Sequence, residues 1–273
     1  MADEPGPGGA HRPAGARGGR RAIVVCLLVL VAASVGWFGW RALGPARHGT
    51  AGASLARPRA HPVTTTTVIA QTAGDRTSVI ATLPGDEQGY SSPGGGATGV
   101  VPGSWHGAVS ALPVIATSPG WLDVRLAQRP NEATAWIPSA GVALSSTPYR
   151  IVIDLATMHL SLYDAGNLVM SAPAGIGTSS TPTPTGSFFV AFLEQAPSPG
   201  YGAFIMVTSA HSNVIADFEN SGDAIIGIHG PLGADAEIGT TGAAISNGCI
   251  RLHDADLAQL GAVPAGSPIQ IID

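Results

Sequence analysis

The sequence contains no lysine, so all 13 of its basic residues are arginines. Only Arg251 lies beyond Arg150, whereas residues 151–273 carry 11 aspartates and glutamates. Binding to nucleic acid requires clustered cations that neutralise phosphates. The charge distribution therefore argues against a nucleic-acid partner.

Cysteine is almost absent, with only Cys26 and Cys249 in 273 residues. Cys26 lies inside an apolar run near the N-terminus, so it has little chance of meeting a residue of a folded domain. Cys249 is therefore left without an evident disulfide partner. An unpaired thiol in an exported protein must be either protected or used.

Long apolar runs are also scarce, and the longest, residues 22–40, contains no charged residue. A helix of 19 residues is about long enough to cross a hydrocarbon core of roughly 30 Å. Four arginines precede the run and predict a cytoplasmic tail over residues 1–21, with the rest of the chain outside the cell membrane. The alternative is a signal peptide cleaved near residues 31–33 and a secreted protein. Both interpretations export the folded part.

Helical periodicity is rare as well, while 37 glycines and 22 prolines indicate many turns. This composition favours a mainly β fold. Residues 41–62 have a linker composition. Residues 63–147 predict a small β module, with strands in 63–71, 77–83, 106–117, 121–126 and 133–146 and a turn cluster over 84–96. Its predicted core comprises Trp121, Val124, Leu126, Trp136 and Ile137.

Residues 148–273 predict one β-rich domain with a hairpin turn at residues 164–167. Further strands are expected in residues 187–194, 203–209, 224–230 and 267–273. Only residues 253–263 have a helical pattern, with Asp254 as the N-cap and with Leu257 and Leu260 turned inward. One or two short helices are therefore expected.

The reactive candidate of this domain is Cys249, because a thiol becomes a nucleophile only beside a base or a positive charge. His229 ends an apolar strand, where a rigid scaffold presents reactive groups at a loop. Gly248 allows close backbone approach and amide donation to an oxyanion. The other histidines of the domain are less suited to this role: His159 lies mid-strand, His211 in a loop, and His253 four residues after Cys249.

Two simpler interpretations of these residues stay open. Cys249 could be a buried structural cysteine behind a tight turn. A zinc site of His229, Cys249 and His253 would have three ligands but no accompanying signature, so no metal and no cofactor is predicted.

A resemblance to a known family rests on His229 and, after 16 intervening residues, on a run of seven. That run is Ser246-Asn247-Gly248-Cys249-Ile250-Arg251-Leu252. It resembles the signature of the L,D-transpeptidase (YkuD-type) catalytic domain, and residues 181–188 and 201–206, with Tyr201, are similar to substrate-side loops of that family. Residues 121–142 resemble bacterial SH3-like modules.

The resemblance implies that Cys249 is the acyl-accepting nucleophile and His229 its base, with the Gly230 carbonyl orienting the imidazole. It also implies oxyanion donation by the amides of Gly248 and Cys249. Ser246, Asn247, Arg251 and Tyr201 are expected on the substrate side. Asn247 departs from the family, which most often has a histidine there. Arg251 could bind a substrate carboxylate or pair internally with Asp254 or Asp256.

The function implied is formation of 3→3 peptidoglycan cross-links through a thioester, with donor stem peptides and an acceptor amine as substrates. Carbapenem β-lactams are the covalent inhibitors that the resemblance implies. Two alternatives use the same acylation: an L,D-carboxypeptidase resolves it with water, and a wall-protein attachment enzyme with a protein amine. A third alternative is a non-catalytic wall-binding protein.

Overall fold

A computed structural model describes residues 67–68 and 77–273 of the chain. The predicted tail, membrane anchor and linker, residues 1–21, 22–40 and 41–62, lie outside the described residues. Among the residues described, no helix has both the length and the apolar character needed to span a membrane.

The N-terminal part is built from ten strands, most of them short. Eight form one sheet in the order β10-β2-β7-β8-β9-β3-β4, with β1 pairing to β7, and β5 and β6 form a separate hairpin. The strands are β1 Thr67–Val68, β2 Ser78–Thr82, β3 Glu87–Tyr90, β4 Ala97–Val101, β5 Ser104–Trp105, β6 Ala108–Val109, β7 Ala111–Ser118, β8 Trp121–Arg125, β9 Thr134–Pro138 and β10 Ala143–Thr147.

The C-terminal part is a ten-stranded mixed sheet in the order β13-β12-β11-β20-β15-β16-β17-β19-β14-β18. Two short α-helices accompany it, α1 Asp235–Ile238 and α2 Asp254–Gln259, with 3₁₀ turns at Pro199–Tyr201 and Leu260–Ala262. The strands are β11 Tyr149–Asp154, β12 His159–Asp164, β13 Asn167–Pro173, β14 Gly175–Gly177, β15 Gly186–Gln195, β16 Phe204–His211, β17 Ile225–His229, β18 Ala243–Ser246, β19 Ile250–Arg251 and β20 Pro268–Ile272.

The two sheets share a hydrophobic core. Phe189 and Ala191 of β15 and Val207 of β16 pack into the same buried cluster as Leu122 and Val124 of β8. A second cluster fills the other side of the C-terminal sheet and includes Leu257 and Leu260. Strands β15 and β16 contribute side chains to both clusters. The N-terminal sheet therefore packs against strands that neighbour β17, which ends at His229.

Most of the predicted elements are confirmed. The described part of the chain is mainly β, and a hairpin turn does occur at residues 164–167, where Ala165 and Gly166 both have positive φ. That combination defines the type I′ turn that suits the twist of two paired strands. Leu257 and Leu260 are fully buried, as the helical pattern predicts.

Several local predictions are wrong. The glycine-rich cluster 84–96 contains strand β3, which forms because it pairs with β4 and β9 despite its weak local propensity. His253, not Asp254, is the N-cap of α2, and it makes no side-chain cap bond. Helix α1 was not predicted. Trp121 and Leu126 are only partly buried, whereas Val124, Trp136 and Ile137 are core residues.

The likeness of the N-terminal sheet to an SH3-like module stays a prediction. So do the domain boundaries.

Candidate active site

One cavity of about 410 Å³ contains the predicted nucleophile and the predicted base. A volume of this size is typical of small-ligand sites. The sequence-predicted residues in its lining are Tyr201, His229, Ser246, Asn247, Cys249 and Arg251. Its remaining lining comes from His106, Phe192, Glu194, Ile205, Val207, Phe218, Ile225, Gly227 and Leu232.

The parallel pairing of β17 and β19 brings the two halves of the motif together. Ile228 is paired with Ile250, and His229 with Arg251. Cys249 directly precedes β19, so its side chain enters the cavity beside β17, and the Gly227 amide donates to Cys249 Sγ at 3.4 Å. Residues 20 positions apart in sequence therefore share one site.

The His229 imidazole is held in one orientation. Its Nδ1 lies 2.8 Å from the Gly230 carbonyl oxygen and donates to it, which leaves Nε2 as the acceptor. The ring of Tyr201 lies against it, with the ring centroids 4.9 Å apart. Burial, followed by the nearby charge of Arg251, lowers the pKa of His229 to about 4, although the bond to Gly230 opposes this shift. The ring is therefore neutral at neutral pH and able to accept a proton.

The thiol is also neutral at rest. Burial raises the pKa of Cys249, while the Gly227 amide and the charge of Arg251 act in the opposite direction. A protonated thiol beside a neutral imidazole suits general-base activation, in which the proton leaves as the nucleophile attacks.

The loop before Cys249 is closed by Ser246. The Ser246 hydroxyl accepts from the Gly248 amide at 3.0 Å and donates to the Cys249 carbonyl at 2.6 Å. Gly248 has a φ of 116°, which disfavours any residue with a Cβ. The expectation that the Gly248 amide serves the oxyanion is therefore corrected, because a local hydroxyl, invisible in the motif alone, already occupies that donor.

Hydrogen bonds from the segment 178–183 hold the same loop in place. Thr183 is buried, accepts from the Gly177 amide at 2.9 Å and donates to the Gly248 carbonyl at 2.8 Å. Thr181 donates to the Ser246 carbonyl at 3.2 Å. Thr181 and Thr183 belong to residues 181–188, the stretch that resembles a substrate-side loop, and their hydrogen bonds fix the backbone around the thiol.

Gly230 allows a close backbone crossing behind the base. Its amide donates to the Tyr201 carbonyl at 2.7 Å. A Cβ at this position would lie 2.6 Å from the Gly202 nitrogen and 2.8 Å from Asp254 Oδ1. Only glycine fits, so the segment with Tyr201 can lie directly against the His229 ring.

Arg251 is the cation of the cavity. Its Nε is buried and has no hydrogen-bond partner within the described part of the chain. Neither Asp254 nor Asp256 forms an ion pair with it there, so the expected internal pairing is not seen.

The other histidines of the domain are bonded elsewhere. His159 bonds the Thr157 carbonyl. His253 lies 3.1 Å from Asp235 and is not among the cavity residues, so it does not join the thiol. His211 is not in a loop as predicted, because it ends β16 and is fully buried, with Nε2 at 2.7 Å from the Ala127 carbonyl. Across residues 77–273 no group of three potential ligands suits a metal ion.

Sequence reasoning missed the outer part of the cavity. His106 comes from the N-terminal part, Phe192 and Glu194 from β15, and Phe218 from the loop after β16. None belongs to a motif, and nothing in the local sequence places them near Cys249.

The fold and site define a mainly β protein whose C-terminal sheet holds a thiol, an imidazole and a guanidinium in one cavity. Residues 148–271 match the family model of the L,D-transpeptidase catalytic domain, YkuD. The chain is 32% identical over 127 residues to the YkuD protein of Bacillus licheniformis and 30% identical over 125 residues to that of Bacillus subtilis (strain 168), both named as candidate L,D-transpeptidases. Each match covers 45% of this chain and 66% of the relative, just under two thirds of its length.

The family model and these relatives support a YkuD L,D-transpeptidase catalytic domain in this part of the chain. Among solved structures, an L,D-transpeptidase from Mycobacterium smegmatis is 17% identical, with 56% of this chain and 91% of that chain covered. Its TM-score of 0.34 is too low to support a conclusion about this protein.

Proposed function

We propose that this protein is an L,D-transpeptidase that forms 3→3 peptidoglycan cross-links through a thioester on Cys249. The observation that carries the proposal is the β17–β19 pairing, which places Cys249, His229 and Arg251 in one cavity. The family match over residues 148–271 supplies the reaction class.

In the proposed acylation, His229 Nε2 takes the proton of Cys249 Sγ while sulfur attacks the carbonyl carbon of the third stem residue. The tetrahedral intermediate collapses with cleavage of the amide bond. The imidazolium returns the proton to the departing amine of the terminal D-alanine. The products are free D-alanine and a thioester, so one difficult amide exchange becomes two easier steps.

In the second step, the side-chain amine of a neighbouring stem attacks the thioester carbonyl. His229 accepts a proton from the attacking nitrogen and delivers it to sulfur as the carbon–sulfur bond breaks. The thiol is regenerated and an amide cross-link is formed.

Two groups of the site are assigned to negative charges of the substrate, one to the oxyanion of the tetrahedral intermediate and one to a carboxylate. Because the Gly248 amide already bonds Ser246, we assign oxyanion donation to the Cys249 amide. Arg251, whose Nε has no hydrogen-bond partner among the residues that the structure describes, is the group for a substrate carboxylate, which guanidinium can bind in bidentate fashion.

We also propose that the domain acts outside the cytoplasm, tethered through residues 22–40. The support is the uncharged 19-residue run and the four arginines that precede it. A tether of this kind would keep the enzyme close to its polymeric substrate.

The test is covalent labelling of the full-length protein in detergent. We expect a carbapenem to add its mass to the wild type and a tetrapeptide stem to release D-alanine. Cys249→Ala should abolish both, whereas the matched variant Cys26→Ala should retain both. A carbapenem adduct that persists on Cys249→Ala would refute the assignment of the nucleophile.

A further inference from the structure

The N-terminal part contributes a hairpin to the cavity. Strands β5 and β6 pair Ser104 with Val109 and Trp105 with Ala108, and the two turn residues between them are His106 and Gly107. Their φ angles are 48° and 81°, so both positions are left-handed. Asn-Gly is the preferred sequence for such a turn, so the histidine is not explained by the turn itself.

Trp105 fixes the hairpin on the C-terminal sheet. Its ring packs edge-on against Phe192 of β15 at 6.1 Å and against the buried His211 at 6.0 Å. The same ring contacts the His106 imidazole at 4.6 Å. The position of His106 on the cavity wall therefore follows from a packed aromatic cluster.

The sheet register gives the distance of this wall from the thiol. Phe192 pairs with Val207, Val207 pairs with Gly227, and the Gly227 amide contacts Cys249 Sγ. The steps from β15 to β16, from β16 to β17 and from β17 to β19 are each about 4.8 Å. Together they place the Cα of Phe192 roughly 14 Å from the Cα of Cys249. Because His106 contacts the Trp105 ring that packs on Phe192, we infer that it lies at this end of the cavity and not at the scissile bond.

A second connection from the N-terminal part supports the same wall. Arg129 donates to the Ser212 and Ile215 carbonyls at 2.9 and 3.2 Å and forms an ion pair with Asp223 at 2.8 Å. These contacts hold both ends of the loop that carries Phe218, another residue of the cavity lining. The outer wall is thus fixed independently of the motif around Cys249.

We propose that His106 is a specificity residue that binds the glycan end of the donor stem. This inference rests on the proposed function. An extended peptide advances about 3.3 Å per residue, so the three stem residues span about 10 Å and the remaining distance of about 4 Å reaches the attached sugar. The outer cavity offers aromatic faces from Phe192 and Phe218 together with the polar groups of His106 and Glu194, a combination suited to a sugar–peptide junction.

The experiment compares His106→Asn with wild type in the full-length protein. Asparagine suits the left-handed turn, so this variant removes the imidazole while preserving the hairpin. The matched control is Ser104→Ala, an exposed position of the same hairpin that does not line the cavity. Release of D-alanine from a disaccharide-tetrapeptide gives kcat and KM, and intact-mass spectra give the rate of acylation by a carbapenem, which lacks the remote part of the substrate.

We expect His106→Asn to raise KM for the disaccharide-tetrapeptide by about 3- to 10-fold, the effect of losing one hydrogen bond. Neither kcat nor carbapenem acylation should change, and Ser104→Ala should match wild type throughout. An unchanged KM, or equal slowing of carbapenem acylation, would overturn the role of His106 while leaving the enzyme assignment intact. A wild type that neither forms the adduct nor releases D-alanine would instead refute the proposed function and this inference with it.

Discussion

His229 and Arg251 are paired residues on the neighbouring parallel strands β17 and β19. The charge of Arg251 lowers the pKa of both His229 and Cys249. One register therefore sets both the geometry of the site and its electrostatics. A shift of β19 by one residue would turn Arg251 to the opposite face of the sheet.

Removal of the base should slow acylation while preserving the fold. We expect His229→Ala to reduce the rate of carbapenem acylation by about 10²- to 10⁴-fold, the usual contribution of a positioned general base. His159→Ala, in the same domain but outside the cavity, is the control and should react at the wild-type rate. Intact-protein mass spectra over time report the rates, and a His229→Ala enzyme as fast as wild type would contradict the assignment.

Burial of His229 should also make stability depend on pH. Its pKa falls from about 6.5 in the unfolded chain to about 4 in the folded protein, so between these values the unfolded state binds the extra proton. Its contribution is fully present above pH 6.5 and is lost as pH falls toward 4, a change on the order of 3 kcal/mol in the free energy of unfolding.

Urea unfolding at pH 7 and pH 4.5 measures this change in wild type and in His229→Gln. The variant should lose less stability between the two pH values. His253 acts in the opposite direction because Asp235 raises its pKa. Its contribution is the same in both proteins and cancels in their difference. Equal losses in the two proteins would contradict the prediction.

Arg251 should affect both substrate binding and the pH profile. Arg251→Gln removes a charged donor, which should raise KM for the stem peptide by about 10- to 100-fold. Loss of the positive charge should also raise the pKa of His229, so the acidic limb of kcat/KM moves to higher pH. Arg150→Gln is the control, because that guanidinium is exposed and lies over the Tyr163 ring outside the cavity. An unmoved acidic limb would argue against electrostatic coupling of Arg251 to the base.

Thr183 should matter for both stability and activity. Thr183→Val keeps the shape but leaves the Gly177 amide and the Gly248 carbonyl without their partner. We expect a loss of roughly 2 kcal/mol in the free energy of unfolding, together with a lower kcat, because the loop before Cys249 loses its support. The exposed Thr185→Val provides the comparison, measured by thermal unfolding and D-alanine release. A stable Thr183→Val enzyme with normal kcat would show that this support is dispensable.

Local sequence was sufficient for the elements whose pattern is strong. The strand that ends at His229 is a continuous apolar run, and Leu257 of α2 and Leu260 of the following 3₁₀ turn repeat with helical spacing. Local sequence was insufficient where strand pairing overrides the intrinsic β propensity of the residues. Strand β3, Glu87–Tyr90, is the example, because it lies within a cluster of turn residues. Strand pairing depends on distant partners that no local pattern contains.

The sequence by itself determined the reactive motif, because a single thiol after Ser246-Asn247-Gly248 and a histidine at a strand end are visible without coordinates. Only the tertiary structure decided which donors are free. The Gly248 amide is taken by Ser246, and Arg251 forms no ion pair with an acid among the described residues. His106 reaches the cavity from a hairpin more than 100 residues away in sequence. These outcomes depend on hydrogen-bond competition and on packing between two sheets, and both are settled only when distant segments come together in space.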